Sequence, residues 1–199
     1  MASCGGGATQ SAGQPRGRFP VRVAAASFQA AQRLAQQSVL VIAVRNTGSR
    51  AIPDIAVTLT DPRYGTAAQA LGTLIAPSGQ GQPVLANRSR PVWVIDQAPG
   101  PCRSSCRQGV PGGAATADSD TWALGRLAPG ATARFQWHVT AVRPGRYEIA
   151  YTVAANLSGG HTRAVAPGGG PVSGRFRVEI SGAVPNPRVT RSGKVIYSG

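Results

Sequence analysis

Lysine is almost missing from this chain: Lys194 stands alone among 21 basic residues, so the rest are arginines. Acidic residues are scarce too, seven in 199, and the formal charge is +14. No apolar run reaches the 18 or more residues of a spanning helix, which excludes one in the chain as written. Only two histidines occur, His138 and His161, and three cysteines, Cys4, Cys102 and Cys106. Neither a nucleophile elbow, a P-loop nor a His-Glu-x-x-His motif is present, so the sequence reads as non-catalytic with no cofactor. The carboxylates Asp54, Asp61, Asp96, Asp118, Asp120, Glu148 and Glu179 fall mostly at turns or on strand surfaces. Asp118-Ser-Asp120 lacks the further oxygen ligands a calcium site needs, and turn chemistry explains it more simply.

What is abundant is turn-formers and small apolar residues. There are 26 glycines and 16 prolines, yet 42% of the chain is hydrophobic and only 14% charged. That composition fits a turn-rich β domain rather than a disordered chain. The arginines are scattered from Arg16 to Arg191 without a block or a basic helix. An Arg-over-Lys bias beside much Ala, Gly and Pro is also what a GC-rich genome produces. Whatever its origin, the charge draws the protein toward polyanions at low salt.

The periodicity of two is clearest late in the chain. In 132–142, Ala133, Phe135, Trp137, Val139 and Ala141 share one face, and Arg134, Gln136, His138 and Thr140 the other. Arg143-Pro144-Gly145-Arg146 then supplies turn chemistry, with proline presetting φ and glycine accepting a positive one. Tyr147, Ile149, Tyr151 and Val153 alternate next, and the two runs read as an antiparallel pair joined by a tight turn. A third run has Phe176, Val178 and Ile180 opposed by Arg175, Arg177 and Glu179. The segment 38–45 is apolar on both faces, as a central strand is. Further strands are expected at Val21–Phe28, Ile55–Leu59, 92–95 and 121–124, and a small ribbon through Val189 and Val195–Tyr197. Only Gln29–Gln37 looks helical, and nine residues without a cap make a marginal helix.

The expected fold is therefore all-β, an antiparallel β-sandwich of about seven to nine strands with two long loops, 61–90 and 97–120. Its inner faces should hold Val41, Ile55, Val57, Trp93, Trp122, Phe135, Trp137, Tyr147, Ile149, Tyr151, Val153, Phe176 and Val178. Residues 1–20 form a tether, 21–181 the sandwich and 182–199 an extended tail. No internal repeat is evident. The sequons at Asn87 and Asn156 read as incidental.

The turns carry a family resemblance. Asn46–Gly48 after a central strand, Leu127–Gly130 before the Phe/Trp-rich strand and Pro144–Tyr147 after it resemble bacterial immunoglobulin-like modules of the cell-adhesion-related type. The similarity covers about half the chain, in two pieces. It implies an Ig-like sandwich and leaves function open, since such modules serve as spacers, binders and adhesins.

The start of the chain carries a second resemblance. Ala2-Ser3-Cys4-Gly5 is similar to the end of a bacterial lipoprotein signal, where the cysteine is lipidated and becomes the mature N-terminus. The charged and apolar segments that precede such a cysteine are not in the sequence, and Met1 stands where leucine is usual. Residues 5–20 have tether composition and, as 16 flexible residues, a reach of about 22 Å. With Cys4 assigned to lipid, Cys102 and Cys106 remain as a pair. They have no nearby histidine or second cysteine pair to complete a zinc site, and their spacing of three is wrong for a redox motif. A disulfide closing a tight loop is the better reading, provided the domain lies outside the cytoplasm.

These readings converge on an extracytoplasmic module anchored to the bacterial cell membrane through Cys4. Its contact surface is expected at the loop end, where Arg88, Arg90, Arg103 and Arg107 favour an acidic protein or wall polymer. The alternative is a soluble basic protein that binds nucleic acid or another polyanion, which requires Met1 to be the true start. Against it, most aromatic residues sit on inferred core faces, unavailable as stacking platforms.

Overall fold

The computed structural model describes residues 16–61, 71–72, 91–100, 121–156, 162–182, 186–193 and 195–198. All regular structure among them is β, and none of the described residues forms a helix long and apolar enough to cross a membrane. In chain order the strands are β1 (Gly17–Ser27), β2 (Ala31–Arg33), β3 (Gln37–Asn46), β4 (Ala56–Thr60) and β5 (Leu71–Gly72). There follow β6 (Trp93–Gln97), β7 (Thr121–Ala123), β8 (Thr132–Ala141), β9 (Gly145–Ala154), β10 (Thr162–Val165) and β11 (Val172–Ser181). The last two, β12 (Asn186–Val189) and β13 (Val195–Ser198), pair as the expected ribbon.

Two sheets form the sandwich. One is six-stranded, ordered β10-β1-β3-β8-β6-β5, and the other five-stranded, ordered β2-β11-β9-β4-β7. Alternation buries one side of each against the other, as in immunoglobulin-like sandwiches. Across the interior, Trp137 of β8 meets Trp122 of β7 edge-on, with centroids 5.4 Å apart, and Trp93 of β6 meets Tyr147 of β9 at 5.6 Å. Most pairings are antiparallel, but β1 with β10, β2 with β11 and β5 with β6 are parallel, so both sheets are mixed.

Four expectations are corrected. First, β8 and β9 are not paired. β8 lies between β3 and β6 in one sheet, while β9 lies between β11 and β4 in the other. The turn at 143–146 is thus an arch that carries the chain across the sandwich. Gly145 takes the positive φ expected of it, at 142°, and Tyr147 Oη donates to Pro144 O at 2.9 Å, a tyrosine corner of the kind immunoglobulin-like folds use. Two alternating strands with a short turn satisfy an arch as well as a hairpin, because each still buries one face.

Second, Gln29–Gln37 is not a helix. Ala31–Arg33 adds to β11, Glu179 N donates to Ala30 O at 2.7 Å and Leu34 N to Ser181 O at 2.9 Å. Gln32 is buried, where its Oε1 accepts from Trp93 Nε1 at 2.8 Å and its Nε2 donates to Gln29 O at 2.9 Å. Tertiary bonds outweigh the weak propensity of an uncapped nine-residue segment.

Third, Val41 is buried as expected, at 6% exposure, but on the outer side of β3 and outside the core cluster. The register sets Leu40 opposite Trp137, Ile42 opposite Phe135 and Val44 opposite Ala133, which puts Val41 beside Gln136 on the outer side. A strand apolar on both faces carries no parity signal, so only its partner decides. Fourth, the sandwich begins at Gly17 rather than at residue 21, with Phe19 fully buried. The other expected inner residues lie in or against the core cluster, Tyr147 and Phe176 as partly buried members.

The family-like turns have a physical basis here. Asn46, fully buried, donates from Nδ2 to Arg50 O and Leu127 O at 2.8 and 3.1 Å, while its Oδ1 accepts from Gly48 N at 3.0 Å. Its backbone oxygen accepts from Gly130 N at 3.0 Å. One asparagine ties the turn after β3 to the turn before β8.

Candidate polyanion-binding face

The outer side of the six-stranded sheet collects arginines. Alternation along β1 turns Arg18 and Arg22 outward while Phe19 and Val21 go in. Register then adds neighbours: Arg163 of β10 opposite Arg18, and Arg45 of β3 opposite Arg22. Arg134 of β8 lies opposite Ala43, one pleat from Arg45. Five guanidinium side chains thus stand on four adjacent strands. Their recorded contacts are neutral: Arg18 donates to Gly169 O at 2.7 Å and Arg134 to Gln136 Oε1 at 3.2 Å. Among the described residues, none of the five has a carboxylate partner. The outward acid on this sheet is Asp96 of β6, which accepts from Thr140 at 2.8 Å and Gln37 at 3.2 Å.

The outer side of the five-stranded sheet sets glutamates among its arginines. Arg177 faces Glu148, and Glu179 faces Arg146, across β11 and β9. Glu148 receives Arg175 at 3.1 Å and Arg177 at 3.2 Å, and Glu179 receives Arg146 at 3.4 Å. Here the cations are paired.

No group of three or more His, Cys, Asp or Glu is placed to hold a metal ion among the described residues. His138 is spent on Gln136 at 2.9 Å. Asp54 is shifted above the usual carboxylate range by burial, which the hydrogen bond from Gly125 N at 2.9 Å partly offsets. Burial also raises Tyr151. These two are structural: one carboxyl bridges the loop before β4 to the loop after β7, and one phenol packs against Phe176 with centroids 5.6 Å apart.

The site residues expected from sequence, Cys4, Arg88, Arg90, Cys102, Arg103, Cys106 and Arg107, all lie outside the described residues. Sequence reading missed Arg18, Arg22, Arg45, Arg134 and Arg163 as a group. Alternation alone turns Arg134 outward, but grouping the five needs the register between strands that are distant in sequence.

Fold and surface together define an immunoglobulin-like β-sandwich with one basic and one charge-paired face. No protein-family model and no curated protein matches the chain. Solved structures similar to it include the CARDB domain of the PF1109 protein from Pyrococcus furiosus, crystallised with di-metal ions. It is 10% identical, with a TM-score of 0.40 over 83% of this chain and 94% of that one. Native alpha-2-macroglobulin from Escherichia coli, from domain MG7 to the C-terminus, is 15% identical with a TM-score of 0.42, over 83% of this chain and 17% of that one. The alkylpurine DNA glycosylase AlkC of Pseudomonas fluorescens is 10% identical with a TM-score of 0.36, over 82% and 31%. At these levels no ligand or activity of theirs transfers to this chain.

Proposed function

We propose that the chain is a non-catalytic binding or scaffold module of the bacterial cell envelope, held outside the cytoplasm by lipid on Cys4 and engaging an acidic partner. The observation that carries the reading is the arginine field on the six-stranded sheet, unneutralised on a rigid scaffold. Cations left without acids on one face, while the opposite face pairs its own, favour a partner that brings negative charge. Outward positions of that sheet carry no Phe, Tyr or Trp among the described residues, and the outward imidazole of His138 is engaged by Gln136, which supports a partner without stacking bases over single-stranded nucleic acid. The Ala-Ser-Cys-Gly start and soft tether support the anchor, and the Cys102–Cys106 pair supports an oxidising compartment.

The test expresses the gene with its native upstream DNA in a bacterial host, fractionates the cells and measures the N-terminal peptide by mass. The expected result is membrane recovery with a lipid-modified Cys4, and release of the protein by Cys4→Ala. Non-reducing peptide mapping should find Cys102 joined to Cys106. An unmodified Cys4 in a cytosolic protein overturns the anchor, and with it the oxidising compartment.

A further inference from the structure

We infer that the outer face of the six-stranded sheet is a membrane-contact surface, whose occupant is the anionic phosphate headgroup layer of a bilayer. The identity of that membrane rests on the tethered-module reading above; the charge argument rests on the described residues alone.

The geometry begins with spacing. Arg163, Arg18, Arg22, Arg45 and Arg134 stand on β10, β1, β3 and β8, four neighbours in order. At about 4.8 Å between strands the field is about 14 Å wide, and Arg18 and Arg22 are about 13 Å apart along β1. The outward residues interspersed among them are Pro20 and Val165, opposed across β1 and β10, with Ala43 and Thr132 on β3 and β8. All five arginines are exposed, although Arg18 is turned toward Gly169 O and Arg134 toward Gln136 Oε1, so a partner that conforms to an uneven surface reaches them best. Lateral movement lets lipid headgroups settle against the fixed arginine spacing, whereas a polymer of fixed repeat must match it.

The field is also costly to the fold. Arg22 and Arg45 are directly opposed across β1 and β3, where like charges repel. A compensating partner from outside the chain explains why that arrangement is useful. The route of the chain adds a second argument. Residues before Arg16 enter the domain at Gly17, beside Arg18 and Arg163. Residues 5–16, 12 in all, have the composition of a linker whose reach is about 19 Å. A lipid on Cys4 would therefore hold the strand that carries Arg18 and Arg22 within reach of the headgroups. Acyl chain plus basic patch is the two-signal arrangement that makes membrane attachment stable.

The test uses the full chain carrying Cys4→Ala, so that no acyl chain contributes. It is mixed with vesicles of phosphatidylcholine alone or with phosphatidylglycerol, and binding is read by co-sedimentation at several salt concentrations. Binding should require phosphatidylglycerol and fall steeply with salt. The combined change Arg22→Gln, Arg45→Gln and Arg134→Gln should weaken partition roughly a hundredfold, at about fivefold per arginine. The charge-matched set Arg146→Gln, Arg175→Gln and Arg177→Gln on the other face should leave it within about threefold. Should the first set unfold the domain, Arg22→Gln and Arg134→Gln measured singly give the same comparison. Equal losses in both sets would overturn the inference, since net charge rather than this face would then be responsible. So would binding to neither vesicle, or tighter binding of duplex DNA or a soluble poly(glycerol phosphate) through the same three arginines. Lipidation of Cys4 is measured separately by mass. A parent lipidated on Cys4 whose Cys4→Ala form ignores the vesicles keeps the tether and loses this surface; an unlipidated parent whose Cys4→Ala form binds them does the reverse.

Discussion

The two outer faces of the sandwich use nearly the same vocabulary. Arg-Phe-Pro-Val-Arg-Val opens β1 and Arg-Phe-Arg-Val-Glu-Ile runs through β11, each sending arginines out and apolar residues in. On the five-stranded sheet, register sets Arg177 against Glu148 and Glu179 against Arg146. On the six-stranded sheet, it sets Arg22 against Arg45 and Arg18 against Arg163. Composition supplies the acids, since β9 and β11 carry Glu148 and Glu179 while β10, β1, β3 and β8 carry none; register then brings the acids onto arginines on one face and groups arginines together on the other. One face thereby pairs its charges and the other displays them.

If the difference is confined to the outer faces, the largest stability effects must come from the interior they share. Trp137→Ala should cost roughly 3–5 kcal/mol, because it empties the contacts of a fully buried ring with both Trp122 and Phe135. Thermal unfolding should shift down by about 10 °C for a domain of this size. A shift of a degree or two would place Trp137 outside the core and undo the register on which both faces depend. Gly174→Ala comes next. A Cβ built at Gly174 lies 2.5 Å from Tyr151 Oη, and the ring is held against Phe176, so it cannot simply swing clear. Overpacking of this kind costs about 1–3 kcal/mol, and urea unfolding of the variant should show it as a lowered midpoint.

Smaller effects test the comparison directly, because they should have opposite signs on the two faces. Glu148→Gln removes the negative charge that both Arg175 and Arg177 meet, and should destabilise by about 0.2–1 kcal/mol at low salt. Arg45→Thr removes a like-charge opposition and should stabilise by about 0.2–1 kcal/mol under the same conditions. Raising salt should shrink both differences. Two changes of the same sign in calorimetric scans would show that the faces are not electrostatically distinct.

How much of this could be read from sequence follows from what alternation encodes. It located β8, β9 and β11 to within two residues, because Phe135, Trp137, Ile149, Tyr151, Phe176 and Val178 mark one side of each strand. The turn residues Asn46, Gly130 and Pro144 were legible for the same local reason. Sheet membership was not: a short turn such as 143–146 suits hairpin and arch alike. Parity was lost at Val41, where both sides of β3 are apolar, and Gln29–Gln37 showed helical composition while Gln32 was reserved for Trp93. The basic face is a product of register between β1, β3, β8 and β10, a non-local property that no window of sequence contains. The residues that sequence reading did nominate at the loop end lie outside the described structure.

Asp54 offers the smallest test, and it separates interior cost from surface display. Its carboxyl is half-buried, accepts from Gly125 N, and has its pKa raised chiefly by burial. A raised native pKa means that the folded state holds its proton to higher pH than the unfolded chain does. Stability then falls as pH rises from the unfolded carboxylate value through the native one, and stays lower above it. Asp54→Asn keeps an oxygen for Gly125 N and removes the charge, so at neutral pH it should raise the melting temperature slightly. Below the unfolded carboxylate pKa both states of the parent are protonated, and the gain should vanish. Melting curves at pH 7 and pH 3 check both halves. Unlike Arg45→Thr, whose effect comes from exposed cations and fades with salt, this one should persist at high ionic strength, because its cause is desolvation rather than a screened pair of charges. A gain at pH 7 that salt abolishes would place Asp54 among the surface charges instead, and the division between a costly interior carboxyl and a displayed cationic face would fail at that residue.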